Sequence, residues 1–345
     1  MIKIALLGFG KVGRAFMRYL DRTGESESFT VFGIADITGG LILQDASDAR
    51  WLLEMQEQGR TIADCAERGA FFNVLSYIDN LPGAGISVLV ECMPTNPIDG
   101  EPALYLLRRA LDKGLAVVTV DKGPIVHGFQ SLTLAAQLKA TKLAYSGTTG
   151  VRPPPDIAGC HVLEIRGILN GTTNYILSEM QERGLTFKKA LVLAIEQGIA
   201  EPNPELDLQG WDTACKILIL ANEWMQARAA LGDVVRVGIG QETEQLIMEA
   251  RGSGHVVRLI GRARLVEGRV RLTVGPKIVG PQSRLQSISG TSKGAIFATR
   301  EKGEIFVGGL SGLAAISQTI LDDIKSVVKP PDSSNTAPQA TSDAH

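Results

Sequence analysis

Apolar runs alternate with amphipathic segments along roughly the first 145 residues. Short runs rich in Ile, Leu, Val and Ala predict buried strands, because a strand covered on both faces loses its polar–apolar alternation. The segments between them repeat apolar residues at helical spacing, which predicts an α/β fold with a parallel sheet. The predicted strands are residues 2–7, 30–35, 86–90, 115–120 and 142–145, and the predicted helices are residues 14–20, 101–111 and 128–141, with 41–80 largely helical.

The pattern changes at residues 146–156, an irregular stretch that contains three consecutive prolines. We expect this stretch to be the crossing between two domains. Beyond it, strands and helices no longer alternate, which is typical of an α+β arrangement. The predicted strands are residues 164–169, two strands within 256–278 and a hairpin of 295–299 with 304–307, and the predicted helices are residues 175–183, 187–197, 213–225 and 313–327.

Composition narrows the classes of protein that fit. A chain of 345 residues is long enough for two domains, and its net charge of −2 does not indicate a nucleic-acid partner. The four cysteines are scattered without C-x-x-C spacing, which is typical of free thiols in a reducing compartment. Met1 leads directly into a strand-like run, and no apolar run approaches 18 residues. We therefore expect a cytoplasmic protein without a membrane span.

A glycine motif follows the first predicted strand. Gly8, Gly10 and Gly13 form G-x-G-x-x-G between that strand and a helix, with Lys11 and Val12 inside the motif. In this context the glycines permit a tight turn, close approach of a pyrophosphate and close helix–strand packing. The motif predicts a dinucleotide site, and the alternative is a glycine-rich turn without a ligand.

The second predicted strand ends at Asp36, and no Arg or Lys follows before Arg50. An acid at this point can accept hydrogen bonds from both ribose hydroxyls of NAD and repels the 2′-phosphate of NADP. The cofactor is therefore expected to be NAD or NADP, with NAD favoured.

Other strand ends and one glycine loop are further candidates for the cofactor crevice. Met93, Pro94 and Thr95 follow one buried strand, and Lys122 follows the next. The carboxyl ends of parallel strands line the ligand crevice in doubly wound sheets, although Lys122 could instead be a capped surface charge. Gly309 and Gly312 open the last predicted helix and can approach the cofactor from the opposite side.

These features predict a Rossmann-like dinucleotide-binding domain plus an α+β substrate and dimerisation domain. The first domain comprises residues 1–146 and is completed by 303–328, and the second comprises 147–302. Residues 329–345 are rich in Pro, Ser, Thr, Asn and Asp and predict a disordered tail.

Acids and a lysine cluster between Glu201 and Lys216. Pro202 and Pro204 keep the first part of this stretch out of helix. Asp212 and Lys216 then lie four residues apart on one helical face. A lysine beside a carboxylate at the entry of an apolar helix can transfer a proton, and the alternative is a surface ion pair.

Residues 170–174, Asn-Gly-Thr-Thr-Asn, turn from a strand into a helix. Thr172 or Thr173 is the predicted N-cap. The free amides at the start of this helix can hold a substrate carboxylate, and the alternative is simple capping.

Together these residues resemble homoserine dehydrogenase, with similarity from Met1 to about Val327. The most specific pieces are residues 167–174, Gly-Ile-Leu-Asn-Gly-Thr-Thr-Asn, and the block from Glu201 through Asp212 to Lys216. Supporting pieces are the first glycine motif, Pro94-Thr-Asn96, the strand that ends at Lys122, and the glycines of 308–312.

The resemblance implies a short form without a regulatory domain that interconverts L-homoserine and L-aspartate 4-semialdehyde with NAD(P), in threonine and methionine biosynthesis. It also implies that Lys216 transfers the proton with the assistance of Asp212, and that Lys122 lies between substrate and cofactor. Glu201 and Asp207 are the implied substrate-binding residues, and the helix start at Asn170, Gly171 and Thr172 joins them as a candidate because of its free amides. A homodimer or higher homo-oligomer is expected.

Three positions depart from the family pattern. Ser146 stands about where the family has a glutamate that binds a monovalent cation, so we expect no metal site. Asp121 replaces the usual asparagine before the strand-end lysine, and Met93 replaces a small hydroxyl residue. Two other functions stay open: a related dehydrogenase of another small amino acid or amino-aldehyde, and a dinucleotide-binding regulator without turnover.

Overall fold

The first of two six-stranded sheets has the strand order β3-β2-β1-β4-β5-β6 in this computed structural model, which describes residues 1–45, 47–68, 70–71, 73–309 and 311–328. Every pair of neighbouring strands is parallel except β2 and β3. The tail of 329–345 lies outside the described residues. The strands are β1 (Ile2–Leu7), β2 (Phe29–Asp36), β3 (Gly39–Ile42), β4 (Val88–Glu91), β5 (Ala116–Thr119) and β6 (Leu143–Ala144).

Helices follow most strands of the first sheet, as the alternating pattern predicted. The helices are α1 (Lys11–Thr23), α2 (Ser47–Glu57), α3 (Val74–Asn80), α4 (Ala103–Asp112) and α5 (Lys122–Leu138). The prediction of largely helical structure over 41–80 missed β3, which forms an antiparallel edge with β2. Gly40 allows β3 to approach α3 closely, since a side chain there would meet the ring of Tyr77.

The start of α5 differs from the prediction by six residues. The helix begins at Lys122 rather than residue 128 because Asp121 caps it, accepting a hydrogen bond from Gly123 N–H at 2.9 Å. The backbone departs from helical angles at Gly128, which explains why the sequence pattern predicted a helix only from there. Lys122 therefore lies in the first turn of a helix at the carboxyl edge of β5.

The second sheet has the strand order β12-β11-β7-β9-β10-β8 and is antiparallel except where β8 pairs with β10. Its strands are β7 (Val162–Ile168), β8 (Val234–Arg236), β9 (Val256–Val266), β10 (Arg269–Val279), β11 (Gly294–Thr299) and β12 (Gly303–Gly308). Its helices are α6 (Gly171–Glu182), α7 (Phe187–Glu196), α8 (Glu205–Leu208), α9 (Trp211–Trp224) and α10 (Thr243–Ala250). The sequence did not predict β8 or α10.

The last helix, α11 (Leu313–Val328), returns to the first sheet. Its buried residues Ile320, Leu321 and Ile324 share one core with Ile4 and Leu6 of β1, so this helix packs with the first sheet. The predicted boundary at residue 303 is wrong, because β12 pairs with β11 in the second sheet and the chain crosses back only after Gly308. The forward crossing at 146–156 contains only two short 3-10 turns, Ser146–Thr148 and Pro155–Ile157. None of the helices formed by the described residues is both long and apolar enough to cross a bilayer.

Candidate active site

The first turns of α9 carry the pair that the spacing indicated. Lys216 Nζ donates a hydrogen bond to Asp212 Oδ2 at 2.6 Å and another to the main-chain oxygen of Leu169, at the end of β7, at 2.8 Å. Only 9% of Lys216 is exposed. The pair is buried, so it is not the solvated surface ion pair of the alternative interpretation.

Asp212 is the centre of the charge cluster. Besides Lys216, it accepts a hydrogen bond from Asn170 Nδ2 at 2.9 Å, and its Oδ1 lies 3.5 Å from Lys122 Nζ. Burial by itself would raise the pKa of Asp212, but the charges of Lys216 and Lys122 outweigh burial and hold the pKa below its usual value. Asp212 is therefore an anion that draws together lysines from α9 and α5.

Asn170 caps α6 and links two of the acids. Its Oδ1 accepts a hydrogen bond from Thr173 N–H at 2.8 Å, so the prediction of Thr172 or Thr173 as the N-cap is wrong. Its Nδ2 donates to Asp207 Oδ1 at 2.7 Å as well as to Asp212. Burial and the neighbouring charge of Asp212 raise the pKa of Asp207. Gly171 begins the helix, and the hydroxyl of Thr172 donates to the main chain of α7's exit loop, at Ile199 O.

An open cavity of about 210 Å³ lies in front of this cluster. Loops of the first sheet form one wall and the stretch from Glu201 into α9 forms the other. Lys216 is not among the residues that line it and lies behind Asp212. The lining residues that carry polar or aromatic groups include Thr95, Lys122, Glu201, Asp207, Trp211 and Asp212. The structure therefore brings the predicted acids and Lys122 to one cavity, with the proposed proton-transfer lysine one contact further in.

Trp211 is a wall of the cavity that the sequence interpretation did not assign to the site. The guanidinium carbon of Arg236 lies 3.7 Å from the centre of the Trp211 ring, a stacked cation–π arrangement. Arg236 comes from β8, whose three residues are too few to give a periodic signal. Trp211 could have been found from its position between two candidate acids, whereas its partner could not.

The glycine turn after β1 has the close contacts expected of a dinucleotide motif. Gly8 has a φ of +105°, and a side chain there would lie 2.7 Å from the main chain of Cys92, at the end of β4. A side chain on Gly13 would collide with the main-chain oxygen of Gly8. Neither position can take a larger residue without moving the strand or the helix, which is what the motif requires.

The N-terminus of α1 is open in the way that a phosphate site requires. Gly10 occupies the N-cap without a side-chain hydrogen bond, and the first helical residues are Lys11 and Val12. A side chain placed on Gly10 would meet nothing within 4 Å. Helix N-termini carry unsatisfied N–H groups and a partial positive charge, so the residues present fit the pyrophosphate of a dinucleotide.

Asp36 ends β2 beside the same edge. Its Oδ1 accepts hydrogen bonds from Thr38 N–H at 2.7 Å and from the Thr38 hydroxyl at 2.6 Å, which fixes the carboxylate at the turn into β3. The next residue, Ile37, is fully exposed. A fixed carboxylate with an apolar neighbour fits an adenosine, which offers ribose hydroxyls and a flat apolar base.

Met93, Pro94 and Thr95 leave β4 along the crevice. The Met93 N–H donates to Glu91 Oε1 at 2.6 Å, so the start of this segment is anchored to a buried carboxyl. Thr95 continues into the cavity wall. The segment therefore connects the predicted dinucleotide site at the carboxyl edge of the first sheet with the cavity lined by Glu201 and Asp207.

Glu91 and Asp121 form a buried carboxyl pair behind this segment. They are 0% and 1% exposed, and Thr119 donates to Glu91 Oε2. Burial and the charge of Asp121 raise the pKa of Glu91 to about 8, and burial also raises the pKa of Asp121. Asp121 Oδ2 has no hydrogen-bond partner among the described residues. The replacement of the usual asparagine thus places a second buried acid beside Glu91.

The second glycine segment, which contains Gly309 and Gly312, lies against Lys293, the residue before β11. The Gly309 N–H donates to Lys293 O at 2.8 Å, and a side chain on Gly309 would lie 2.6 Å from Lys293 Cβ. Gly312 has a φ of +88° and begins the turn into α11, where Ile316 N–H donates to its carbonyl. Leu310, between the two glycines, lies outside the described residues.

The crossing at residues 146–156, called the hinge below, obtains a carboxylate from elsewhere in the chain. Ser146 N–H donates to Asp323 Oδ2 at 2.9 Å, and Arg152 Nη1 lies 3.9 Å from Asp323 Oδ1. Asp323 belongs to α11 and is 2% exposed. A carboxyl group near the replaced glutamate is therefore supplied by α11 and faces a guanidinium.

The sequence and the fold are similar to those of homoserine dehydrogenases. The family model for homoserine dehydrogenase matches residues 155–324. A homoserine dehydrogenase of Methanocaldococcus jannaschii is 34% identical over 333 residues, covering 93% of this chain and 97% of that protein. The NAD(+)-dependent homoserine dehydrogenase of Pseudomonas canavaninivorans is 32% identical, covering 93% and 95% respectively. The crystal structure of homoserine dehydrogenase from Thermoplasma acidophilum matches with a TM-score of 0.77 at 26% identity, covering 94% of this chain and 98% of that one.

Proposed function

The chain belongs to the homoserine dehydrogenase family, and we propose how its own residues perform that family's reaction. The protein is an NAD- or NADP-using oxidoreductase that interconverts L-homoserine and L-aspartate 4-semialdehyde. The single observation that carries the proposed mechanism is the buried contact of Lys216 with both Asp212 and the Leu169 carbonyl, next to an acidic cavity.

Lys216 is the proton-transfer residue of this proposal. An ammonium has three N–H groups, and two of them are used by Asp212 and Leu169 O, which leaves one for a substrate oxygen. In the reducing direction the Lys216 ammonium donates that proton as the carbonyl oxygen gains charge and becomes a neutral amine, and in the oxidising direction the neutral amine accepts the hydroxyl proton. Since Asp212 separates Lys216 from the cavity, the substrate oxygen must approach beside the Asp212 carboxylate.

Lys122 and Asp212 orient the reacting end of the substrate. Lys122 lines the cavity and its Nζ lies 3.5 Å from Asp212, so its charge acts on the same oxygen from the side of the first sheet. Asp212 holds both lysines while remaining ionised. Two cations that converge on one oxygen stabilise the negative charge that develops there during reduction.

The acids of the opposite wall bind the amino group in this proposal. Glu201 and Asp207 line the cavity and can both accept hydrogen bonds from a substrate ammonium. The N-terminal amides of α6, at Gly171 and Thr172, are then available for the substrate carboxylate, behind the cap made by Asn170.

The dinucleotide occupies the first-sheet side of the crevice. Gly8, Gly10 and Gly13 fit its pyrophosphate, and Asp36 fits the adenosine ribose. When bound, its nicotinamide ring gives or receives the hydride. We propose that NAD is the preferred cofactor, because Asp36 would repel a 2′-phosphate. A relative of 32% identity that is named NAD(+)-dependent supports this preference.

The division into a dinucleotide-binding domain and a substrate domain is part of the same proposal. The two separate sheets and the return of α11 to the first sheet support it. We further propose a cytoplasmic homodimer, since the second sheet exposes apolar side chains at Val235, Leu265 and Ile278. Light scattering after gel filtration would measure the mass, and a monomeric mass would contradict the dimer.

One assay tests the function directly. The purified protein is mixed with L-homoserine and NAD or NADP, and the absorbance of the reduced nicotinamide is followed. Turnover with homoserine is expected. Turnover only with another small amino alcohol would identify a related dehydrogenase, and cofactor binding without turnover of any of them would identify a regulator.

A further inference from the structure

Lys293 lies between Lys216, the proposed proton-transfer residue, and the glycine segment of residues 308–312. The pairing of β11 places Gly294 opposite Ile168 on one side and opposite Gly308 on the other. One residue further along, Lys293 is therefore level with Leu169, whose carbonyl holds Lys216, and with Gly309, whose N–H binds the Lys293 carbonyl. The register thus puts Lys293 at the boundary between the proton-transfer site and the segment that leads into α11.

The side chain of Lys293 has no ion-pair partner among the described residues. The nearby carboxylate, Asp212, is already shared by Lys216 and Lys122. Burial and the charge of Lys216 lower the pKa of Lys293 to about 8, with Lys122 acting in the same direction and Asp212 against it. A half-buried amine without a counter-ion, within reach of the charges of two other lysines, is a position that an anionic ligand would stabilise.

We propose that Lys293 binds the diphosphate of the dinucleotide, as a third lysine of the site alongside Lys122 and Lys216. This rests on the proposed function, since it takes a dinucleotide as the cofactor. A side chain on Gly309 would collide with Cβ of Lys293, so the glycine leaves room for Lys293 beside the start of the segment that leads into α11. Because α11 shares a core with α1, the helix that follows the pyrophosphate turn, this segment lies on the cofactor side of the cavity.

The diphosphate is favoured over the substrate carboxylate because of where the other groups lie. Lys293 does not line the acidic cavity, and unlike Lys216 it makes no side-chain hydrogen bond to a described residue that does. The start of α6 already offers amides to the substrate carboxylate. We therefore assign Lys293 to the dinucleotide. The diphosphate supplies the missing counter-ion, and at alkaline pH its binding favours the protonated form of the Lys293 amine.

Direct binding measurements on the full chain test the proposal. Dissociation constants of NADH and of ADP-ribose, which has the diphosphate but no nicotinamide, are measured by calorimetry for wild type, Lys293→Gln and Lys293→Arg. Lys293→Gln is expected to weaken both ligands about 10- to 100-fold, the usual range for a charge-assisted hydrogen bond, whereas Lys293→Arg keeps most of the affinity. Lys277→Gln, an exposed lysine on β10, is the matched control and should change neither constant.

The pH dependence gives a second readout that needs no variant. Wild-type affinity for ADP-ribose should fall as pH rises above about 8, because the neutral amine loses the diphosphate, and Lys293→Gln should not show this fall. The charged groups that face Lys293 are Lys216 and Asp212 on α9 and Lys122 on α5. If Lys293→Gln does not fold, the absence of the fall in wild type overturns the proposal.

Two further results would overturn it. Unchanged ligand affinity with a higher KM for homoserine would assign Lys293 to the substrate carboxylate, and no change in either would assign it no ligand. Failure of the proposed function would look different, because wild type would then bind NADH without turning over homoserine.

Discussion

Replacing Lys216 with alanine tests the centre of the mechanism. The substitution removes the two hydrogen bonds to Asp212 and Leu169 O, at 2.6 and 2.8 Å, and with them the group proposed to move the proton. The dinucleotide contacts lie on the first sheet, at Gly8–Gly13 and Asp36. Turnover should therefore fall sharply while NADH affinity stays nearly unchanged.

The magnitude follows from the structure. A positioned general acid or base contributes ~10²–10⁴ in rate, or about 3–5 kcal/mol of barrier. Stability should also fall, because loss of one partner of a buried ion pair costs about 3–5 kcal/mol. Asp212 keeps Asn170 at 2.9 Å and Lys122 at 3.5 Å, so we expect a stability loss near the lower end, about 3 kcal/mol.

Steady-state kinetics, NADH titration and thermal unfolding are measured together on four variants, Lys216→Ala, Lys122→Ala, Lys188→Ala and Glu201→Ala. Lys188→Ala removes an exposed lysine of α7 and is the control for a helical Lys→Ala change. Glu201→Ala should instead raise the KM for homoserine with a smaller effect on kcat, because its carboxylate is proposed to bind the substrate ammonium. The split between kcat and KM separates the two roles.

Wild-type turnover in Lys216→Ala would refute the mechanism, since the buried pair would then be structural. If turnover falls for Lys122→Ala but not for Lys216→Ala, the proton would be moved by the lysine that lines the cavity directly. A large loss of NADH affinity in Lys216→Ala would show that the two halves of the site are not separable as proposed.

Three other predictions follow from neighbouring features. The ratio of kcat/KM for NAD to that for NADP should exceed one and should fall in Asp36→Ser, and a wild-type preference for NADP would contradict the role of Asp36. Activity should depend little on sodium or potassium because Arg152 already faces Asp323 at the hinge, and activation by either ion over an ionic-strength control would contradict this. Burial and the charge of Asp121 raise the pKa of Glu91 to about 8, whereas the unfolded value is near 4.3. Between these two pH values the folded state binds one more proton than the unfolded state. The free energy of unfolding should therefore fall as pH rises through this window. Glu91→Gln should reduce that loss, and chemical unfolding curves at pH 5 and pH 8 with an equal decrease for both proteins would refute it.

The sequence by itself determined the features that depend on short spacing. The turn at Gly8–Gly13 is fixed by glycines directly after a strand, and the contact of Asp212 with Lys216 is fixed by the four-residue repeat of a helix. The parallel pairing of the buried strands also follows from local pattern, because burial on both faces leaves continuous apolar runs. Where local signals conflicted, as at the start of α5, the prediction failed by a turn or more.

Only the tertiary structure decided which distant residues meet. Asn170 joins Asp207 to Asp212 because the end of β7 packs against the start of α9, and Lys122 reaches Asp212 because loops of the two sheets face each other. Lys293 comes level with Gly309 through a strand register that no local pattern specifies. These contacts depend on how layers pack, and packing is set by the sum of many weak burial terms along the chain rather than by the spacing of any one motif.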